Sequence, residues 1–164
     1  MYNLSYDLHI HSCLSPCGDD DMTPANIVGM AMIKGLDVIA LTDHNSSKNC
    51  PAFMKMAEEY GLIAIPGMEL TTAEEIHVVC LFPALEDALA YDEYVYSHLI
   101  RFPNDEVIFG KQQIMNKDEE IIGTIPWFLT MKMFGLYNNF LLYVLPTSVT
   151  AFFVILLKTY FEAI

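Results

Sequence analysis

Basic side chains are scarce in this sequence of 164 residues: 8 Lys and Arg stand against 21 Asp and Glu, a net charge of −13. That balance excludes a nucleic-acid binder working through a basic patch, because phosphates are repelled. Cysteines number only four (Cys13, Cys17, Cys50 and Cys80), with no cationic, apolar signal peptide ahead of them. A secreted disulfide scaffold is therefore not expected. Histidine is absent after His98, and charge is absent from residues 133–157. Polar residues are too few for disorder, since 54% of the chain is apolar. The length suits about one domain, and a small enzyme is the class these absences leave open.

The missing charge divides the chain. Residues 1–123 hold 6 basic and 20 acidic side chains, whereas residues 124–164 hold only Lys132, Lys158 and Glu162. The second stretch also carries 10 of the 20 aromatic residues. One composition cannot describe both, so two segments are expected, 1–123 and 124–164.

The first segment reads as alternating strands and helices. Residues 6–10 alternate polar and apolar, as a half-buried strand does. Thr23 is placed to cap a helix, with Pro24 at its first position and Gly35 as its stop. Ile27, Met30, Ala31 and Ile33 are the expected apolar face. Residues 36–41 form a strand by their Val/Ile/Leu content and end in Thr42-Asp43-His44-Asn45. A helix over 51–60, stopped by Gly61, leads to a strand over 62–65 and then Pro66-Gly67-Met68-Glu69. A strand over 76–82 and a helix over 86–99 follow. Helical stretches between strands favour parallel βαβ units, an α/β fold. Residues 103–123 read as a polar connection with one short strand or turn of helix, and Asp118-Glu119-Glu120 as a solvated charge cluster.

Four of the five histidines fall at the expected strand ends. Asp7, His9 and His11 occupy alternate positions of the first strand and share one face. Two imidazoles about 7 Å apart at strand spacing can turn towards one divalent ion. Asp43-His44 ends the second strand, Glu69 lies just past the third, and His77 opens the fourth. In a parallel sheet such ends share one edge, where α/β proteins place active sites. His98, on a helix among tyrosines, is read as structural. Imidazole and carboxylate together suit zinc, manganese or iron. A carboxylate such as Glu69 can bridge two ions, and paired ions suit attack of water on a phosphate ester. The plainer reading is a set of strand-end caps and surface polar groups.

Asp7-Leu8-His9-Ile10-His11-Ser12, then Asp43-His44-Asn45 after a Val-Ile-Ala-Leu strand, then Pro66-Gly67-Met68-Glu69, resemble the polymerase and histidinol phosphatase (PHP) family. The intervals of 33 residues from His11 to His44 and 25 from His44 to Glu69 are similar to the family's. The resemblance covers roughly residues 3–120. It implies a distorted (β/α)7 barrel, two or three divalent metal ions, and hydrolysis of phosphoesters. By position, His9 and His11 would hold one ion, Glu69 would bridge to a second, and His77 and His44 would be further ligands. Asp7 and Asp43 are the candidate catalytic carboxylates, with Asp7 placed to orient the histidines from behind. Where many members carry Asp or His shortly after the histidine pair, this chain reads Ser15-Pro16-Cys17-Gly18. Cys17 is expected there as a thiolate ligand or as a small buried residue.

The family's later strands bring a further His and an Asp-x-His, and nothing here matches them. An incomplete barrel of about four strands is the expectation, with an open edge that a second copy could cover. Residues 124–164 instead resemble an inner-membrane permease of sugar-type ABC importers, through Lys132 to Phe140 and a Leu145-Pro146 inside the following apolar run. A membrane span within 133–157, in its shorter version 140–157 kinked at Pro146, is expected. A buried helical hairpin broken at Gly135 to Asn139 is the alternative. The expectation is thus a cytoplasmic phosphoesterase segment, membrane-associated if the span inserts. Its acidic surface favours a small phosphorylated metabolite or nucleotide as substrate. The alternatives are a membrane component of a sugar importer and a fusion in which neither part works.

Overall fold

Helix ends fall where the sequence marks them. In the computed structural model, helix α1 (Pro24–Lys34) begins after Thr23, whose hydroxyl accepts from the backbone N–H of Asn26 at 3.2 Å. It ends at Gly35 in the left-handed region, φ 68°, where the absence of Cβ removes the strain. Helix α2 (Cys50–Tyr60) has Pro51 in its first turn and ends at Gly61, φ 69°. Helix α3 (Leu85–His98) carries Glu86 and Asp87 at its N-terminal turn, where the helix dipole favours negative charge. The structure describes residues 3–72, 76–99, 106 and 110–124. All of them belong to the first of the chain's two units, Met1–Phe128.

The buried stripe of α1 is turned from the expected one. Pro24, Ile27, Val28 and Ala31 face inward, the i, i+3, i+4, i+7 spacing of a single helical face. Met30 and Ile33 lie off that stripe and are 51% and 77% exposed. The core joins this stripe to Ile39 and Leu41 of the sheet and to Cys50, Phe53 and Ala57 of α2.

Strands β1 (Tyr6–Ile10), β2 (Val38–Leu41), β3 (Ile63–Thr71) and β4 (His77–Leu81) form one sheet in the order β1-β2-β3-β4. The pairs β1–β2 and β2–β3 are parallel, as α1 and α2 between them require. β4 corrects the all-parallel expectation: it runs antiparallel to β3, pairing Gly67 with Leu81 and Thr71 with His77. Thr71 and His77 are only six positions apart, too few for a crossover to a parallel strand, and Thr72 N–H donates to Ile76 O at 3.0 Å. β3 is also longer than 62–65. Its first half pairs with β2 up to Pro66, and its second half, Gly67 to Thr71, pairs with β4. Glu69 therefore lies inside a strand. Gly67 sits at the changeover, where a Cβ would meet Thr42 Cγ2 at 2.8 Å, Cys80 O at 2.9 Å and Leu41 O at 3.0 Å.

The register of β1 slips. Tyr6 faces Val38 and Ile10 faces Leu41, so β1 advances four residues while β2 advances three. The extra residue marks an irregularity between Asp7 and Ile10, yet Asp7 and His9 stay exposed while Leu8 and Ile10 are partly buried, so the two faces still alternate there. In the connection after α3, residues 113–124 form a hairpin of β5 (Gln113–Met115) and β6 (Ile121–Thr124), two strands where one was expected. Its turn exposes Asp118, Glu119 and Glu120 to solvent.

Among the described residues no helix is long and apolar enough to cross a membrane. The span expected within 133–157 lies outside the described residues.

Candidate metal centre

The expected ligands converge. His9 lies in β1 and His11 just past its end, His44 follows the end of β2 by three residues, β3 supplies Glu69, and β4 opens with His77. Because β4 returns antiparallel, His77 sits opposite Thr71 and diagonal to Glu69 on the same face. A parallel β4 would have sent it to the far end of the sheet. The four imidazoles stand in a row, with ring centroids 4.9 Å apart for His9–His11, 4.6 Å for His11–His44 and 5.2 Å for His44–His77.

Glu69 is the hub. Its Oε2 lies 3.1 Å from His9 Nε2, 3.0 Å from His11 Nε2 and 3.4 Å from His44 Nδ1, and its Oε1 lies 2.8 Å from His77 Nδ1. Backbone bonds hold it in place: Glu69 N–H donates to Asp43 O, and Asn45 N–H donates to Glu69 O, both at 3.0 Å. Burial alone would raise the Glu69 carboxyl. Hydrogen bonds from His9 and His77, with the neighbouring His44 and His11 rings, outweigh it and hold the group below its ordinary value.

Asp43 is not in the cluster but behind it, fully buried. Its Oδ1 accepts from Ser12 N–H at 2.6 Å and Ser15 Oγ–H at 2.7 Å, and its Oδ2 accepts from Ser12 Oγ–H at 2.6 Å. Burial pushes its pKa up to about 6 against those bonds, so it is ionised at neutral pH. Asp7 is likewise not brought to the rings. It is exposed, and its Oδ1 accepts from the backbone N–H of His9 at 3.1 Å.

Ser15 links Asp43 to the cluster. Its single hydroxyl proton goes to Asp43, which as a carboxylate can only accept. It accepts in turn from His44 N–H at 3.0 Å and lies 3.0 Å from His11 Nδ1. With its proton committed, Ser15 can only accept from His11, so His11 carries its proton on Nδ1. Burial lowers the His11 pKa to about 4, leaving one ring proton at neutral pH and a bare lone pair on Nε2. That lone pair faces Glu69 Oε2 at 3.0 Å. His9 Nε2, 3.0 Å from that lone pair and 3.1 Å from Glu69 Oε2, has a single N–H to offer the two acceptors, whereas a divalent cation among the three satisfies them all. The spacing of the donors, 3.0 to 3.4 Å, matches the roughly 3.4 Å edge of a tetrahedron whose metal–nitrogen bonds are about 2.1 Å. The donor set therefore fits a divalent cation.

Three groups of potential ligand atoms, each within 4.8 Å of one another, occur among the described residues: His9, His11 and Glu69; His44, Glu69 and His77; and His11, Cys17 and His44. Cys17 is exposed, which corrects the reading of it as a small buried residue. Cys13 is buried, its thiol donating to Gln113 O at 3.7 Å. His98 stays outside, its Nδ1 donating to Tyr94 O at 2.7 Å on α3.

Sequence reasoning passed over Ser12, Ser15 as a link, and Asn49. The Asn49 amide N–H donates to Ser12 Oγ at 2.8 Å and Gln113 O at 3.1 Å, and its Oδ1 accepts from Met115 N–H at 2.8 Å. It thereby ties the hairpin to the loop behind the histidines. Nothing local marks such a residue, because its partners lie 37 to 66 positions away.

Among relatives, an uncharacterised protein of Methanocaldococcus jannaschii is 36% identical over 76 residues, 42% of this chain and 44% of that protein. The 5'-3' exoribonuclease Rnm of Salmonella typhimurium is 35% identical over 99 residues, 54% of this chain and 33% of that enzyme. The chain thus spans less than half the length of either relative. Among solved structures, an amidohydrolase from Chromobacterium violaceum is 26% identical, with a TM-score of 0.47, over 57% of this chain and 34% of that one. The PHP domain matches residues 7–125, which hold every histidine, Glu69 and Cys17, and stops short of the apolar stretch 133–157. The chain belongs to the PHP domain family.

Proposed function

We propose that residues 1–123 form the metal-binding part of a metal-dependent hydrolase acting on phosphate esters, with a small phosphorylated metabolite or nucleotide as substrate. The observation that carries it is Glu69, whose two oxygens meet four imidazole nitrogens at 2.8 to 3.4 Å. His9, His11 and Glu69 would hold one ion and His44, Glu69 and His77 a second, with Glu69 shared. Bound divalent cations supply Lewis-acid chemistry, lowering the pKa of water and neutralising charge on a phosphoryl oxygen. The protein's own part is positioning. Ser15 fixes the His11 tautomer, Asp43 anchors Ser15, and His9 and His77 flank the opening, each about half exposed. In this reading Asp43 acts through Ser12 and Ser15 rather than on substrate. Membership of the PHP family and the exoribonuclease named among the relatives support a phosphoester as the bond class. The four described strands of the sheet correspond to about half of a seven-stranded barrel.

The test is elemental analysis of the purified chain together with hydrolysis of an aryl phosphate ester. Stoichiometric zinc, manganese or iron, lost in Glu69→Ala together with turnover, is the expected result. Folded protein that takes up no metal would overturn the reading.

A further inference from the structure

Cys17 sits on a turn whose backbone leaves it little freedom. Ser15 N–H donates to Ser12 O at 3.0 Å, and Gly18 N–H donates to Ser15 O at 2.9 Å. A Cβ on Gly18 would lie 2.0 Å from Ser12 O, so only glycine allows the chain to close this tightly. Ser12 and Ser15 are themselves bound to Asp43. The same buried carboxylate that orients His11 thus also sets the position of Cys17. The outcome is a thiol within 4.8 Å of the ligand nitrogens of His11 and His44, at the solvent-facing edge of the cluster.

The other thiols are placed differently. Cys13 and Cys50 are buried, and burial pushes their thiols up to about 11 and about 12; it raises the Cys17 thiol as well, so position and not acidity is what distinguishes Cys17. Cys50 Sγ donates to Gly67 O at 3.6 Å, and Cys80 Sγ to Val78 O at 3.7 Å. Among the described residues Cys17 alone is a thiol grouped with imidazoles.

We propose that Cys17 joins His11 and His44 as a thiolate ligand and gives this centre a preference for zinc or cobalt(II) over manganese or magnesium. The proposal rests on the metal-centre reading above and deepens it. Thiolate is a soft donor that suits zinc, whereas an all-imidazole and carboxylate set accepts manganese readily. A zinc–sulfur bond is about 2.3 Å, so the thiol must swing inward, and an exposed side chain with one rotatable bond can do so. His11 has one lone pair available, its Nδ1–H being held by Ser15. The thiolate therefore enters the same centre, in competition with Glu69 for His11 and His44, and does not form a detached third site.

Cobalt(II) titration of the metal-free chain tests this, because thiolate-to-cobalt charge transfer absorbs in the near ultraviolet and the ligand-field bands in the visible. The expected result is both sets of bands in the wild type and visible bands alone in Cys17→Ser, with Cys80→Ser unchanged. Zinc affinity should fall about tenfold or more in Cys17→Ser, the scale of losing a metal-site partner, while manganese affinity stays the same. Visible bands without a near-ultraviolet band in the wild type would overturn the thiolate and leave the metal centre standing. A near-ultraviolet band that survives Cys17→Ser would assign the thiolate to another cysteine and also overturn the proposal. Absence of any cobalt band in folded wild type would overturn the metal-centre reading itself.

Discussion

Asp43→Asn, ordinarily a mild substitution, is expected to be severe here. Asp43 receives three hydrogen bonds and makes none: Ser12 N–H and Ser15 Oγ–H on Oδ1, Ser12 Oγ–H on Oδ2. Asparagine turns one of these oxygens into an NH2 group. Placed at Oδ1, the amide nitrogen faces a backbone N–H and a Ser15 hydroxyl that already accepts from His44 N–H and lies 3.0 Å from His11 Nδ1. Placed at Oδ2, it faces Ser12 Oγ, whose lone pairs already take Leu14 N–H at 3.2 Å and Asn49 Nδ2–H at 2.8 Å. Either orientation sets a donor against a donor in a site with no access to water. The milder one strands two polar groups, at about 1–3 kcal/mol each with some shared relaxation, so a loss of about 2–4 kcal/mol is expected. Asp43→Ala, which leaves three donors without an acceptor, is expected to cost about 3–5 kcal/mol. Urea unfolding of the metal-free chain followed by circular dichroism measures both. The reasoning fails if Asp43→Asn unfolds within about 0.5 kcal/mol of wild type, the range of an ordinary surface change. The hydroxyl directions would then be wrong, and with them the tautomer assigned to His11.

Other consequences can be checked with the same material. Ser15→Ala frees His11 Nδ1 from its acceptor and is expected to weaken zinc binding by about 10- to 100-fold, read by competition with a chromogenic chelator; unchanged affinity would remove Ser15 from the site. Gly67→Ala puts a methyl against two backbone carbonyls and the Thr42 methyl at 3.0 Å or less. Overpacking of this kind costs about 1–3 kcal/mol or more, and a variant with the wild-type urea midpoint would contradict the strand spacing. Burial lowers the pKa of His11 to about 4 and moves His44 in the same direction. Below pH 6.5 these two rings therefore bind more protons in the unfolded chain, whereas buried Asp43, raised to about 6, binds more in the folded one and offsets them between about pH 6 and 4. The His11 part is isolated as the stability difference between wild type and His11→Ala in the metal-free chain, which should fall as pH drops from 6.5 towards 4. At 1.36 kcal/mol per pKa unit and discounted for a ring that solvent partly reaches, the fall is about 1–2 kcal/mol. A difference that stays the same at pH 7 and pH 4.5 would refute it.

The histidine pair on β1, the Asp-His after β2 and the Glu on β3 were legible because each depends on a local pattern: a short apolar strand with polar residues at its end. The helix limits at Thr23, Gly35 and Gly61 were legible for the same reason, since a cap acts within one turn. What each ligand-type residue does could not be read this way. Asp7 and Asp43 are the same residue type beside the same kind of motif, yet Asp7 is left in solvent on β1 and folding buries Asp43 against two serines. His77 reaches Glu69 only because β4 reverses direction, and strand direction is decided by what the chain packs against. Ser15 and Asn49 gain their roles from partners up to 66 residues away. By itself the sequence determined the family, the order of α1, α2 and the strands around them, and most of the donor set, because residue chemistry and short-range periodicity are written along the chain. Only the tertiary structure decided which carboxylate faces the rings, which supports them from behind, and where Cys17 lies. Register, strand direction and burial depend on the contacts that close the chain upon itself.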